Sequence, residues 1–169
     1  FRAKQYQIFF SMYRFIVLFI CLFLTSSGLR SQVPIVSEVP ASKRELIIKE
    51  GEKYLGMRYR SKVNKSIFDC SGYVKFLMSK IGKTVTRSSV TQVHDGKRVT
   101  DIKTAKPGDI LVFRGRNARN NRPGHVGLVH HWSNDTLYFI HSSVSKGITI
   151  DHLYDPYYSK RFLQVRNVI

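Results

Sequence analysis

Beyond the first thirty or so residues of this 169-residue chain, Cys70 is the single remaining cysteine, set between Asp69 and Ser71-Gly72. A thiol is a useful nucleophile only as thiolate. Two arrangements lower its pKa: the positive end of a helix, and a neighbouring imidazole that takes the proton. Tyr73, Val74, Leu77, Met78 and Ile81 fall at i, i+3/i+4 spacing with Cys70, and Gly82 ends the run. The spacing predicts an amphipathic helix that Cys70 opens on its buried side, so the first arrangement is local. The rival reading is a small buried core cysteine.

Six histidines could supply the second arrangement. Residues 125–132 and 136–143 alternate like the two strands of a hairpin, with Ser133-Asn134-Asp135 as the turn. His125 starts one strand and His141 ends the other, so antiparallel pairing carries both to the same end of the sheet. His130, His131 and His152 lie along or beyond the hairpin. Periodicity does not dock that end of the sheet against Cys70. A zinc site built from His125, His130, His131 and His141 is the competing use of these rings. It is disfavoured because no second cysteine or glutamate stands at ligand spacing, and because adjacent strand residues such as His130 and His131 point to opposite faces. No metal and no cofactor is expected.

The elements that must position these groups are readable in outline. Residues 32–42 (QVPIVSEVPAS) hold two prolines and no helical period, as an extended linker would. Ser42 with Glu45 three residues on forms a capping-box pattern for a helix that carries Leu46, Ile47, Glu50 and Tyr54 to a stop at Gly56. Residues 57–68 are basic and irregular, and a short helix is expected from Ser88. Pro107-Gly108-Asp109 turns into a strand over 110–113, and further strands are expected at 148–151 and 163–168. The loop from Arg114 to Gly124, with Arg116, Arg119 and Arg122, reads as solvated, though its place before His125 keeps open a grip on carboxylates. Helices followed by an antiparallel meander give an α+β fold in one domain.

Charge and targeting bound the function classes. The chain carries 28 Lys+Arg against 11 Asp+Glu, a formal +17, and its 12% aromatic content argues against disorder. Residues 1–31 read as a secretory signal. Met12-Tyr13-Arg14 is the basic start, residues 15–24 are an unbroken apolar run, and Thr25-Ser26-Ser27-Gly28 suits processing, with residues 1–11 an upstream extension. An apolar run of ten falls short of the roughly 20 needed to span a bilayer, so no transmembrane segment is expected in the mature chain. Phe19-Ile20 lack the small residue expected before a lipid-acylated cysteine at Cys21. Removing residues 1–31 takes away Arg2, Lys4, Arg14 and Arg30 and leaves 24 basic against 11 acidic residues, net +13. Such a surface suits nucleic acid or an anionic polymer outside the cytoplasm. Export, and the lack of a recognisable nucleic-acid module, favour the second.

Five segments carry a family resemblance in order: Phe68-Asp69-Cys70-Ser71-Gly72, Arg87-Ser88-Ser89 with Gln92, Lys106-Pro107-Gly108-Asp109, Gly124-His125-Val126-Gly127-Leu128, and Phe139-Ile140-His141-Ser142-Ser143. They resemble the signature blocks of the NlpC/p60 family of papain-like bacterial cell-wall cysteine peptidases. The stretch from Asp155 to Phe162 is similar to the C-terminal part of the murein endopeptidase branch. The resemblance covers residues 43–169 and implies a papain-like domain, with the nucleophile at a helix start packed on an antiparallel sheet.

By the resemblance, Cys70 is the nucleophile, His125 its general base, and His141 the polar residue that orients the base. Tyr59 matches a tyrosine near the oxyanion, and Asp69, Ser71, Arg87 and Ser88 match positions lining the cleft. The family's Gly-Gly pair after the tyrosine is replaced here by Ser61-Lys62-Val63, about one residue shorter to the cysteine, which implies a remodelled cleft wall. The longer hairpin through residues 131–135 is expected to project as a loop. Trp132 and Tyr157-Tyr158 are expected to pack at the core or rim rather than stack on sugar rings. The implied protein is a monomeric exported peptidase of the periplasm or cell envelope. It would hydrolyse amide bonds of peptidoglycan stem peptides or cross-links through a thioester. A catalytically silent wall-binding module, or an amidase or acyltransferase of the same fold, are the alternatives.

Overall fold

Ser42 starts the first helix, α1 (Lys43–Glu52), by a reciprocal capping box. Its hydroxyl accepts the Glu45 N–H at 3.3 Å, and the Glu45 carboxylate accepts the Ser42 N–H at 2.9 Å. The chain leaves that helix through Gly56, at φ +81°. Helix α2 (Cys70–Lys80) is capped by Asp69, whose carboxylate accepts the Gly72 N–H at 2.6 Å, and the chain leaves it through Gly82 at φ +71°. The computed structural model describes residues 42–59 and 68–169. The segments expected to be a secretory signal and a linker, up to residue 41, and the Ser61-Lys62-Val63 departure lie outside the described residues.

After the short helix α3 (Ser89–Gln92) come β1 (Lys97–Val99), a 3-10 turn at Ile102–Thr104, β2 (Ile110–Arg114), β3 (Pro123–Ser133), β4 (Thr136–Ser143), β5 (Gly147–His152), α4 (Pro156–Ser159) and β6 (Phe162–Asn167). Among the described residues the strands form one antiparallel sheet in the order β1-β6-β2-β3-β4-β5. The expected meander therefore holds from β2 to β5 only. The chain then returns through α4 and inserts β6 between β1 and β2. Strand β2 (Ile-Leu-Val-Phe-Arg) is buried on both faces, so its backbone needs partners on both edges, and β3 and β6 supply them.

One face of the sheet packs against α1 and α2, with Ile47, Tyr73, Leu77 and Met78 seated on Val112, Leu128 and Ile140. On the other, Leu111, Phe113, Phe139 and Val165 lie with Leu153 and Tyr158 from the segments after β5. The fold is thus α+β with the N-terminal helices packed on an antiparallel sheet, as expected, while the short α4 lies with the second core on the other face. Residues 131–135 do not project as a loop. They continue the hairpin to a two-residue turn at Asn134 and Asp135, with φ of 45° and 58°, the doubly left-handed geometry of a tight hairpin.

Candidate active site

Cys70 opens the first turn of α2, where backbone N–H groups lack acceptors within the helix itself. The residue is buried, with 8% of its surface exposed. Burial pushes the thiol pKa up and the Asp69 charge adds to that, while hydrogen bonds from the backbone of Val126, Ser71 and Cys70 itself pull the other way. The pull of the Val126 backbone sets the thiol near β3, on which Val126 follows His125. The segment before the helix is fixed by the Ser142 hydroxyl of β4, which donates to the Phe68 carbonyl.

Arg87, expected to line the cleft, and Tyr59, expected near the oxyanion, lie near the cysteine. Arg87 donates to Asp69 at 2.7 and 3.0 Å and to the Ser71 hydroxyl at 3.1 Å, so one guanidinium braces the residues on either side of Cys70. Buried Gln92 adds a second brace: its Nε2 donates to the carbonyls of Ser71 at 3.0 Å and Thr86 at 2.9 Å. Tyr59 is half-buried, and its phenol pKa is raised by burial and by the charges of Cys70 and Asp69, which places it near both. Ser88 caps α3, its hydroxyl accepting the Thr91 N–H at 3.2 Å, and so serves the fold there.

The hairpin brings the two expected imidazoles together. His125 Nε2 and His141 Nδ1 are 3.0 Å apart, with the ring planes perpendicular. His141 is fully buried and stacks on Phe139, while His125 is partly exposed beside Phe113. Burial, and then the neighbouring His141, pull the His125 pKa down to about 3; burial also lowers that of His141. A cleft of about 360 Å³, lined by His125, His141, Ser143, Lys146 and Tyr157 among others, opens beside the pair.

Behind His141 stands a residue that the sequence did not single out. Asp151 of β5 is 3.0 Å from His141 Nε2, receives the Tyr158 hydroxyl at 3.0 Å and the Lys146 ammonium at 2.8 Å, and is held well below the usual carboxylate range by those bonds. The signal for it lies in register. His141 pairs with Thr149, so Asp151 is its diagonal neighbour on the same face.

Other expectations meet mixed outcomes. His130 and His131 do not point to opposite faces. A bulge between Val129 and His131 breaks the alternation and leaves their Nδ1 atoms 2.6 Å apart, with His130 Nε2 on Glu52 at 2.9 Å. Among the described residues no group of three ligating side chains fits a metal ion. Arg116, Arg119 and Arg122 are exposed in their loop, while Arg114 binds the carbonyls of Lys160 and Phe162. Trp132 donates to the Ala105 carbonyl at 2.9 Å and packs against the second core.

A model of the NlpC/P60 family matches residues 56–167, most of the described chain, including the thiol and both imidazoles. The chain belongs to the NlpC/P60 family. It is 32% identical over 116 residues to the "Murein DD-endopeptidase MepS/Murein LD-carboxypeptidase" of Escherichia coli K12, covering 68% of this chain and 57% of that protein. To the "Probable endopeptidase NlpC homolog" of Haemophilus influenzae it is 30% identical, over 69% of this chain and 58% of that one. The chain thus spans less than three fifths of the length of either relative. An NlpC/P60 family protein from Bacillus cereus shares the fold with a TM-score of 0.64 at 24% identity, over 77% of this chain and 41% of that one. NlpC2 of Trichomonas vaginalis does so with a TM-score of 0.64 at 22% identity, over 78% and 49%. Among the described residues no helix is long and apolar enough to cross a membrane.

Proposed function

We propose that this NlpC/P60 chain is an exported cysteine peptidase that hydrolyses amide bonds in peptidoglycan stem peptides or cross-links through a thioester on Cys70. The observation that supports this reading is the His125–His141 imidazole pair at 3.0 Å, on the strand whose Val126 backbone interacts with the helix-start thiol of Cys70. The name of the Escherichia coli relative, a murein endopeptidase, supplies the substrate class.

The geometry suggests an order of steps. His125 Nε2 is engaged with His141, so Nδ1 is the nitrogen left to take the Cys70 proton. Burial favours the neutral form of both groups, so thiol and imidazole rest uncharged and the proton moves as sulfur attacks the carbonyl. The tetrahedral oxyanion would take hydrogen bonds from the Cys70 N–H and the Tyr59 hydroxyl. His125 then returns its proton to the departing amine, leaving the acyl group on sulfur. Water attacks the thioester with His125 as base and releases the carboxylic acid and free Cys70.

Of the bonds open to such a site, the D-alanyl to diaminopimelate cross-link is favoured, because the 32%-identical relative is named a DD-endopeptidase. The γ-D-glutamyl bond within a stem is the other candidate. Mass spectrometry of peptidoglycan fragments after digestion tests both. The wild-type chain should release new fragments whose masses name the bond, and Cys70→Ala should release none. Equal fragments from both would overturn the reading. No fragments from either, with both chains sedimenting with the wall, would point to a binding module.

A further inference from the structure

Resting on the peptidase reading above, we propose that Asp151 is a positioning residue that sets the tautomers of His141 and His125, and so aims the basic lone pair at Cys70. The chain of contacts is continuous: His125 Nε2 to His141 Nδ1 at 3.0 Å, His141 Nε2 to Asp151 Oδ2 at 3.0 Å, then Tyr158 hydroxyl to Oδ2 at 3.0 Å and Lys146 Nζ to Oδ1 at 2.8 Å.

The protons can be assigned by elimination. An ionised carboxylate only accepts, so the 3.0 Å contact with His141 requires the hydrogen on Nε2. The Tyr158 hydroxyl has one hydrogen, which goes to Asp151 at 3.0 Å, and it stands farther from His141 Nε2, at 3.3 Å. With Nε2 protonated, the neutral His141 ring has a bare Nδ1, which must accept. The hydrogen between the two rings is therefore on His125 Nε2, and His125 Nδ1 is left as the base. When Nδ1 takes the Cys70 proton, the resulting imidazolium donates through His141 toward a fixed negative charge.

The groups facing this charge come from every neighbouring element. Lys146 lies in the turn between β4 and β5, Tyr158 on α4, and Asp155, which raises the Lys146 and Tyr158 pKa values, just before α4. Lys146 and Tyr158 hold Asp151 ionised and in place. Reversing the carboxylate to an amide should let the His141 ring take its other tautomer, which would hand the His125 proton to Nδ1 and block the transfer.

The experiment is imidazole nitrogen NMR of the whole chain together with kinetics of Asp151→Asn. In the wild type at neutral pH, both rings should carry their proton on Nε2. Asp151→Asn should redistribute the His141 tautomer, slow alkylation of Cys70 by iodoacetamide, and lower kcat about 10- to 100-fold while leaving KM nearly unchanged. A proton on His141 Nδ1 in the wild type would overturn the proposal, whether or not the variant folds. So would an Asp151→Asn chain with unaltered tautomers and kcat. If the wild type cut no peptidoglycan, the peptidase reading would fail while the tautomer and alkylation results still judged Asp151.

Discussion

As the proposed base, His125 must be neutral to accept a proton, and its surroundings keep it so. Burial and His141 pull its pKa down to about 3, so the base is protonated, and transfer blocked, only as pH falls toward that value. Burial of Cys70 pushes the opposite way, so the thiol stays protonated through neutral pH. The expected profile has kcat/KM undiminished between pH 7 and pH 5, without the loss that an ordinary histidine titrating near 6.5 would cause. A limb centred near pH 6 in a pH series of peptide cleavage would contradict this. At this scale the meeting of His125 and His141 was legible, because the hairpin carries both to one end of the sheet, whereas their partnership with Cys70 came only from the family resemblance. Asp151 was not legible. An aspartate at a strand end looks like a terminator until the β4 to β5 register makes it the neighbour of His141.

The elements decide how closely those groups meet. The two helix starts were readable because caps are local: Ser42 with Glu45, and Asp69 before Cys70. The hairpin was readable from its alternation, but the bulge at Val129 was not, since one extra residue inside a continuous apolar and aromatic run leaves no compositional mark. Gly127 shows what the hairpin requires. A Cβ there would lie 2.9 Å from the His141 Cβ, the Ile140 carbonyl oxygen and the Phe139 ring. Gly127→Ala must therefore push β4 away from β3 next to the imidazole pair. The expected cost is about 1–3 kcal/mol in urea unfolding, with a fall in kcat of at least about tenfold as the His125 to His141 bond lengthens. Wild-type stability together with wild-type turnover would show that the close approach does not matter.

Over the whole molecule, the sequence showed the helix-then-sheet order but not the return of β6. Placing the last strand between β1 and β2 depends on contacts roughly 50 to 70 residues apart, such as Phe113 with Phe162 and Lys97 with Asn167, for which no local pattern exists. That return has functional weight, because α4 carries Tyr158 to the back of the imidazole pair on the way to β6. The net +13 that remains beyond residues 1–31 would draw the proposed peptidase toward anionic polymers. The account stands or falls on the acyl-enzyme. During digestion of a purified stem-peptide substrate, rapid acid quenching and intact-mass spectrometry should find Cys70 carrying the acyl half of the cleaved peptide, an adduct removed by hydroxylamine. Digestion that proceeds with no such adduct, and continues after Cys70 has been alkylated, would contradict it.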